Sequence, residues 1–145
     1  MSSPSDLTGK PWMAVGETDD PNAIIETFTA AGSITKGSPV YLSADEKVAA
    51  SPGGDDAIGV ALKTVSTGQP CPVLVRGRVK VTAAGAITRG KAVCSAGQGK
   101  VTQLVDQAVD EGGSSKYTIF YNRKLGTALE STTTDGDLLF IYVDK

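Results

Sequence analysis

A pattern that occurs twice limits the possible folds of this chain more than any other feature. Ala31-Gly-Ser-Ile-Thr-Lys-Gly-Ser-Pro-Val40 and Ala84-Gly-Ala-Ile-Thr-Arg-Gly-Lys-Ala-Val93 share A-G-x-I-T-[K/R]-G-x-x-V. Each copy is followed by a turn and a short strand signal, Lys47-Val-Ala-Ala50 and Lys100-Val-Thr-Gln-Leu104. Further on, Ile58-Gly-Val-Ala-Leu-Lys63 matches Leu125-Gly-Thr-Ala-Leu-Glu130, and apolar strands follow at Pro72–Val75 and Leu138–Val143. The offset is 53 residues between Ile34 and Ile87 but 67 between Ile58 and Leu125, which places an insertion of about 14 residues at roughly 105–118. Glycines at the turns permit positive φ, while Ile and Val point inward. The expected unit is a four-strand module. Two copies cannot make a solenoid, so each is expected to close the other within one sandwich or small barrel.

Val outnumbers Leu, Gly and Thr are frequent, and few stretches carry a 3.6-residue apolar period; the expected class is all-β. With 145 residues the chain has room for one domain. Val, Leu, Ile and Phe make up only about 23% of it, which favours burying further surface between subunits. The segment Met1–Asn22 is polar and marked by Pro4, Pro11 and Pro21; it is expected to form an extended N-terminal arm ahead of a β-rich domain over 23–145. The arm carries net charge −3 against +1 for the remainder, and it is expected to contribute little to the fold. Neither a secretory signal nor a run of membrane-spanning length is present, which predicts synthesis in the cytoplasm and no membrane partner. The formal charge of −2 predicts no nucleic-acid partner. Cys71 and Cys94 are expected to be free, buried thiols.

The sequence contains no histidine, which removes Ser-His and Cys-His nucleophile pairs and the commonest transition-metal ligand. No spacing singles out a Ser-Lys dyad or a carboxylate pair, so no catalytic residue, metal site or cofactor is expected. Gly85-Ala-Ile-Thr-Arg-Gly-Lys-Ala92 approaches a phosphate loop but ends in Ala where a hydroxyl is required, and its repeat around Gly37 lacks the lysine. A structural turn used twice explains both. Arg76, Arg78 and Lys80 alternate with Gly77, Val79 and Val81, so on a strand the three cations share one face. Such a ridge is either a solvated outer face or a contact for an acidic partner surface. Pro11, Trp12 and Met13 form the apolar point of the arm, where Trp12 is either an interface anchor or folds back onto its own domain.

The run Ala31–Leu42, the step Ile58-Gly-Val-Ala61, and Gly68 ahead of Pro72-Val-Leu-Val-Arg-Gly77 resemble, in that order, the decoration (cement) proteins of tailed-phage capsids. The resemblance covers roughly Ile24–Val143. It implies a subunit that forms a homotrimer at three-fold positions on the outer capsid surface of the virion. There it would bind the major capsid protein and brace the lattice against internal pressure, without catalytic residues. It also implies an N-terminal segment that reaches neighbouring capsomers; the candidate capsid contacts read from the residues are Pro11, Trp12 and Met13 in that segment and Arg76, Arg78 and Lys80 on the basic ridge. The alternative is a small-molecule or carbohydrate-binding β-module, although Tyr117, Phe120 and Tyr121 are the only aromatic cluster in the sequence.

Overall fold

The structure, a computed structural model, describes residues 13–53, 57–104, 107–111, 114–118 and 124–144, with only the backbone described for 107–111 and 114–118. Among these residues there is no helix. The strands are β1 (Ile24–Ala30), β2 (Pro39–Ala44), β3 (Lys47–Ala50), β4 (Ala57–Ala61), β5 (Pro70–Ala83), β6 (Ala92–Gly97), β7 (Lys100–Gln103), β8 (Gln107–Glu111), β9 (Ser114–Thr118), β10 (Gly126–Ala128) and β11 (Leu138–Asp144). The all-β expectation holds.

Nine of these strands form one sheet in the order β1-β3-β2-β4-β5-β11-β10-β6-β7, and the further pairings β1–β5 and β5–β7 close it twice. Each closure is a circuit of five strands, and the 14-residue β5 belongs to both. Its first half pairs with β1 and β4, its second half with β11 and β7. The expected four-strand module therefore gains a fifth strand that neither half has to itself. Closure within each circuit leaves far fewer unpaired sheet edges than two flat sheets would.

The repeated sequence pattern is matched by a repeated pattern of pairing. The parallel pairs Thr29↔Lys47 and Ala30↔Val48 recur 53 residues later as Thr82↔Lys100 and Ala83↔Val101. The hairpins β2–β3 and β6–β7 both carry a bulge, after Leu42 and after Ser95. Ile34 bridges Val65, and Ile87 bridges Thr132. In the shared motif, Gly37 and Gly90 take φ values of +89° and +84°, and their N–H groups donate to Ala61 and Ala128 carbonyls at 2.8 Å each. A residue with a Cβ would be strained at either position. The insertion is a separate two-stranded hairpin, β8–β9, running from Gln107↔Thr118 to Glu111↔Ser114.

Each circuit encloses its own apolar cluster. Ala30, Ile34, Val40, Val48, Ala61, Val65, Cys71 and Val73 fill the first. The second is larger and is built around Val79, Val81, Ile87, Val93, Leu125, Leu139, Ile141 and Val143. At the point where β5 passes between circuits, Gly77 has φ +133°, and an added Cβ would lie 3.1 Å from the Ala23 Cα. Only glycine fits that crossing without displacement of the backbone beside it.

Candidate functional site

The basic face of β5 is built differently from either expectation for it. Arg76 is exposed, opposite Asp144 of β11. Arg78 is half-buried: its guanidinium carbon lies 4.3 Å from the centre of the Phe140 ring, and its Nε is buried without a hydrogen-bond partner. Lys80 is 6% exposed, with its ammonium 5.8 Å from the same ring centre. Phe140 is itself fully buried, so the two cations roof an aromatic ring on the outside of the second circuit. Period-two alternation correctly placed the three cations on one face. It carried no information about the apolar ring across the ladder or the chain that covers it.

That cover is the N-terminal segment. The Gly16 N–H donates to the Lys80 carbonyl at 2.7 Å, and the Lys80 N–H donates to the Glu17 carbonyl at 3.3 Å. Asp20 accepts from the Asn22 N–H at 2.9 Å through one oxygen, and the other accepts from the Arg78 N–H at 3.4 Å. Lys36 pairs with Glu17 at 3.1 Å. The Ala14 N–H and the Lys36 ammonium together hold the Glu17 carboxyl below its ordinary pKa. Met13 is buried. Among the described residues, contacts with the body are thus present throughout Met13–Asn22, within the expected arm. Pro11 and Trp12 lie outside the described residues.

A cleft of about 400 Å³ lies between the two halves, lined by hydroxyls of Ser33, Thr35, Ser38, Ser51 and Thr82 together with Lys36 and Lys100. Lys36 is engaged with Glu17, and Lys100 with Asp135 at 2.8 Å. The lining contains no aromatic ring on which a sugar could stack, so the cleft does not favour the carbohydrate-binding alternative. No cluster of three or more His, Cys, Asp or Glu side chains able to hold a metal occurs among the described residues. The loop resembling a phosphate site leads into strand β6, not a helix, and its Gly90 N–H is already bonded to Ala128. Neither cysteine is in a disulfide, both are buried, and burial pushes the Cys71 thiol pKa up.

Exposed large apolar side chains fall into two groups, one on and near β11 at Leu129, Leu138 and Tyr142, the other on and beside β1. Ile24 and Ile25 are 48% and 47% exposed, and Leu42 on β2 is 49% exposed. The signal for this surface was in the sequence, where Ile24 and Ile25 stand side by side and cannot both point into a one-sided core.

Comparison with known proteins gives a structural likeness and a family match. The N-terminal base of the head fibre gp8.5 of bacteriophage phi29 superposes with a TM-score of 0.56 at 16% identity, covering 84% of this chain and 94% of that one. That likeness shows a shared fold. Curated protein sequences give no match. The phage cement protein family matches residues 20–144, which span both circuits and the β8–β9 hairpin inserted between β7 and β10. The chain therefore belongs to the phage cement protein family, structural proteins of the phage capsid.

Proposed function

We propose that this protein binds the outer surface of a phage head as a homotrimer and stabilises the lattice of the major capsid protein. The family match over residues 20–144 carries the reading. A cement protein has to remain folded and keep its shape under load, and a sheet closed twice on itself suits that task.

The candidate contacts divide by accessibility. Met13 and Lys80 are buried against their own chain, and Arg78 is committed to Phe140, so Arg76 is the member of the basic ridge available to an acidic capsid surface. Pro11 and Trp12 of the N-terminal segment link the subunit to its neighbours on the shell. We also read the two circuits as products of an internal duplication, on the strength of pairings repeated at an offset of 53 residues before the insertion and 67 after it.

The test uses heads purified without this protein. Adding it should saturate a fixed number of surface sites and raise the temperature at which the heads release DNA. Arg76→Glu should weaken binding at low salt and lose that effect at high salt, as expected for an exposed charge contact. Heads that neither bind the protein nor gain heat resistance would rule the reading out.

A further inference from the structure

Comparison of the two circuits exposes one unequal position. The strand equivalent to β1 in the second circuit is the latter half of β5, and its outward edge at Lys80 is bonded to Gly16 and Glu17. The equivalent of Lys80, 53 residues earlier, is Thr27. On β1, Phe28 and Glu26 face Cys71 and Val73 of β5, while Thr27 and Thr29 face Pro72 and Pro70, which have no N–H. In an antiparallel ladder, bonded pairs alternate with unbonded ones. The Ala30 N–H and carbonyl point at β5, bonding Gln69 and Gly68, and the Thr29 N–H points the other way, to Glu46. The backbone groups of Thr27 and Ile25 therefore also point away from β5. Strand β3 covers that edge only at Thr29 and Ala30, and no backbone group among the described residues pairs with it at Ile25 or Thr27.

Beside this open edge runs a groove of about 630 Å³ lined by Phe28, Leu42, Asp45 and Glu46. Glu26 is exposed on the same strand face as Phe28, and Lys47 is the one cation adjoining the groove on β3. An open strand edge beside an apolar floor with an acidic rim suits an extended guest carrying alternate apolar and basic side chains.

We propose that β1 is a strand-docking site for residues 7–12 of a second copy of this chain. In Leu7-Thr-Gly-Lys-Pro-Trp12, strand alternation puts Lys10 and Trp12 on one face, so that Trp12 meets Phe28 and Leu42 while Lys10 meets Glu26, Asp45 and Glu46. Pro11, having no N–H, faces away from β1. That leaves the backbone groups of Lys10 and Trp12 to pair with the Ile25 and Thr27 edge. The chain is long enough to leave its own body: residues 1–12 fully extended span up to about 40 Å from Met13. Within each copy, residues 16 and 17 complete the second circuit, and the preceding residues complete the first circuit of the next copy. This contact is head-to-tail, the kind that builds a closed ring when the rotation between copies closes.

Two measurements on full-length protein test the site. Light scattering across a concentration series should show a mass above one subunit. Thr27→Pro, which removes an N–H that the fold of the chain does not use, should weaken association about tenfold or more, and so should Trp12→Ala. Leu42→Glu, at an exposed position, should do the same if Thr27→Pro proves unstable. In the second measurement, Lys10→Cys and Glu26→Cys chains are mixed and treated with a short bis-maleimide, the native thiols being buried. A band at two-chain mass, absent from either variant alone, is expected. A monomer at every concentration would overturn the proposal, as would folded edge variants that associate like wild type. Cross-linking confined within single chains that carry both cysteines would also overturn it, by returning the segment to its own body.

Discussion

Truncating Ile34 and Ile87 to alanine should have unequal effects, although sequence and pairing make the two residues equivalents. They are 1% and 2% exposed. Removing three carbons forfeits about 2.4 kcal/mol of transfer free energy at about 0.8 kcal/mol per methylene. The cavity term then adds to this, within a usual range of about 2–5 kcal/mol. Ile34 sits in the smaller cluster, whose members Ala30, Ala61 and Cys71 are too short to swing into a hole. Ile87 shares its cluster with Leu125, Leu139 and Ile141, long side chains that can lean toward a vacated volume. Ile34→Ala should therefore fall near the top of that range and Ile87→Ala near the bottom. Because β5 runs through both circuits, each variant should still unfold in one transition with an unchanged denaturant slope. Urea titration at one fixed protein concentration measures both quantities. Equal costs, or a larger cost for Ile87→Ala, would refute the reasoning from neighbour length, and two separate transitions would refute the coupling through β5.

Gly77→Ala should destabilise the protein by about 1–3 kcal/mol, through strain at φ +133° and the approach to Ala23, and a thermal melt reads this directly. Phe140→Leu keeps an apolar side chain but removes the ring beneath Arg78; a loss of about 0.5–2 kcal/mol is expected in the same assay, and none if the stacking contributes nothing. Asp137 is held below its ordinary pKa by the Thr133 and Thr134 N–H groups. A depressed folded pKa supplies stability above the unfolded value and loses it as pH falls through the folded one. Acid titration from about pH 5 downward should therefore find Asp137→Asn less pH-dependent than wild type. Native protein should leave both thiols unreacted with a thiol reagent, and both should react once it is unfolded.

The sequence made the all-β class and the two glycine turns legible, because a repeat of ten residues carries its turn chemistry and its inward-pointing isoleucine together. It did not reveal that β5 is one strand. Pro72–Val75 and Arg76–Lys80 read as separate features, since the first looks like a buried strand and the second like a polar face. The burial of Lys80 was hidden for a related reason. Alternation fixes the face a side chain takes, whereas its exposure depends on what crosses that face, here Phe140 from 60 residues away and the Gly16–Glu17 backbone. The attachment of Met13–Asn22 was not legible in composition: the segment is polar and is held through backbone hydrogen bonds and Asp20, which a hydrophobic pattern cannot register. The open edge of β1 became visible only when one half could be laid on the other.

Strand β5 also imposes a direction on synthesis. All five strands of the first circuit have been made once Ala83 leaves the ribosome, so that circuit can close while the rest of the chain is still being translated. The second circuit has no such independence, because its first strand is the far half of β5 and its last is β11, ending at Asp144. The half that folds first presents the latter part of β5 as a ready template, aligned for β7 in parallel and for β11 in antiparallel pairing. A chain released early, before β11, would therefore carry a finished first half and a strand with a vacant edge, the state most exposed to pairing with the wrong molecule.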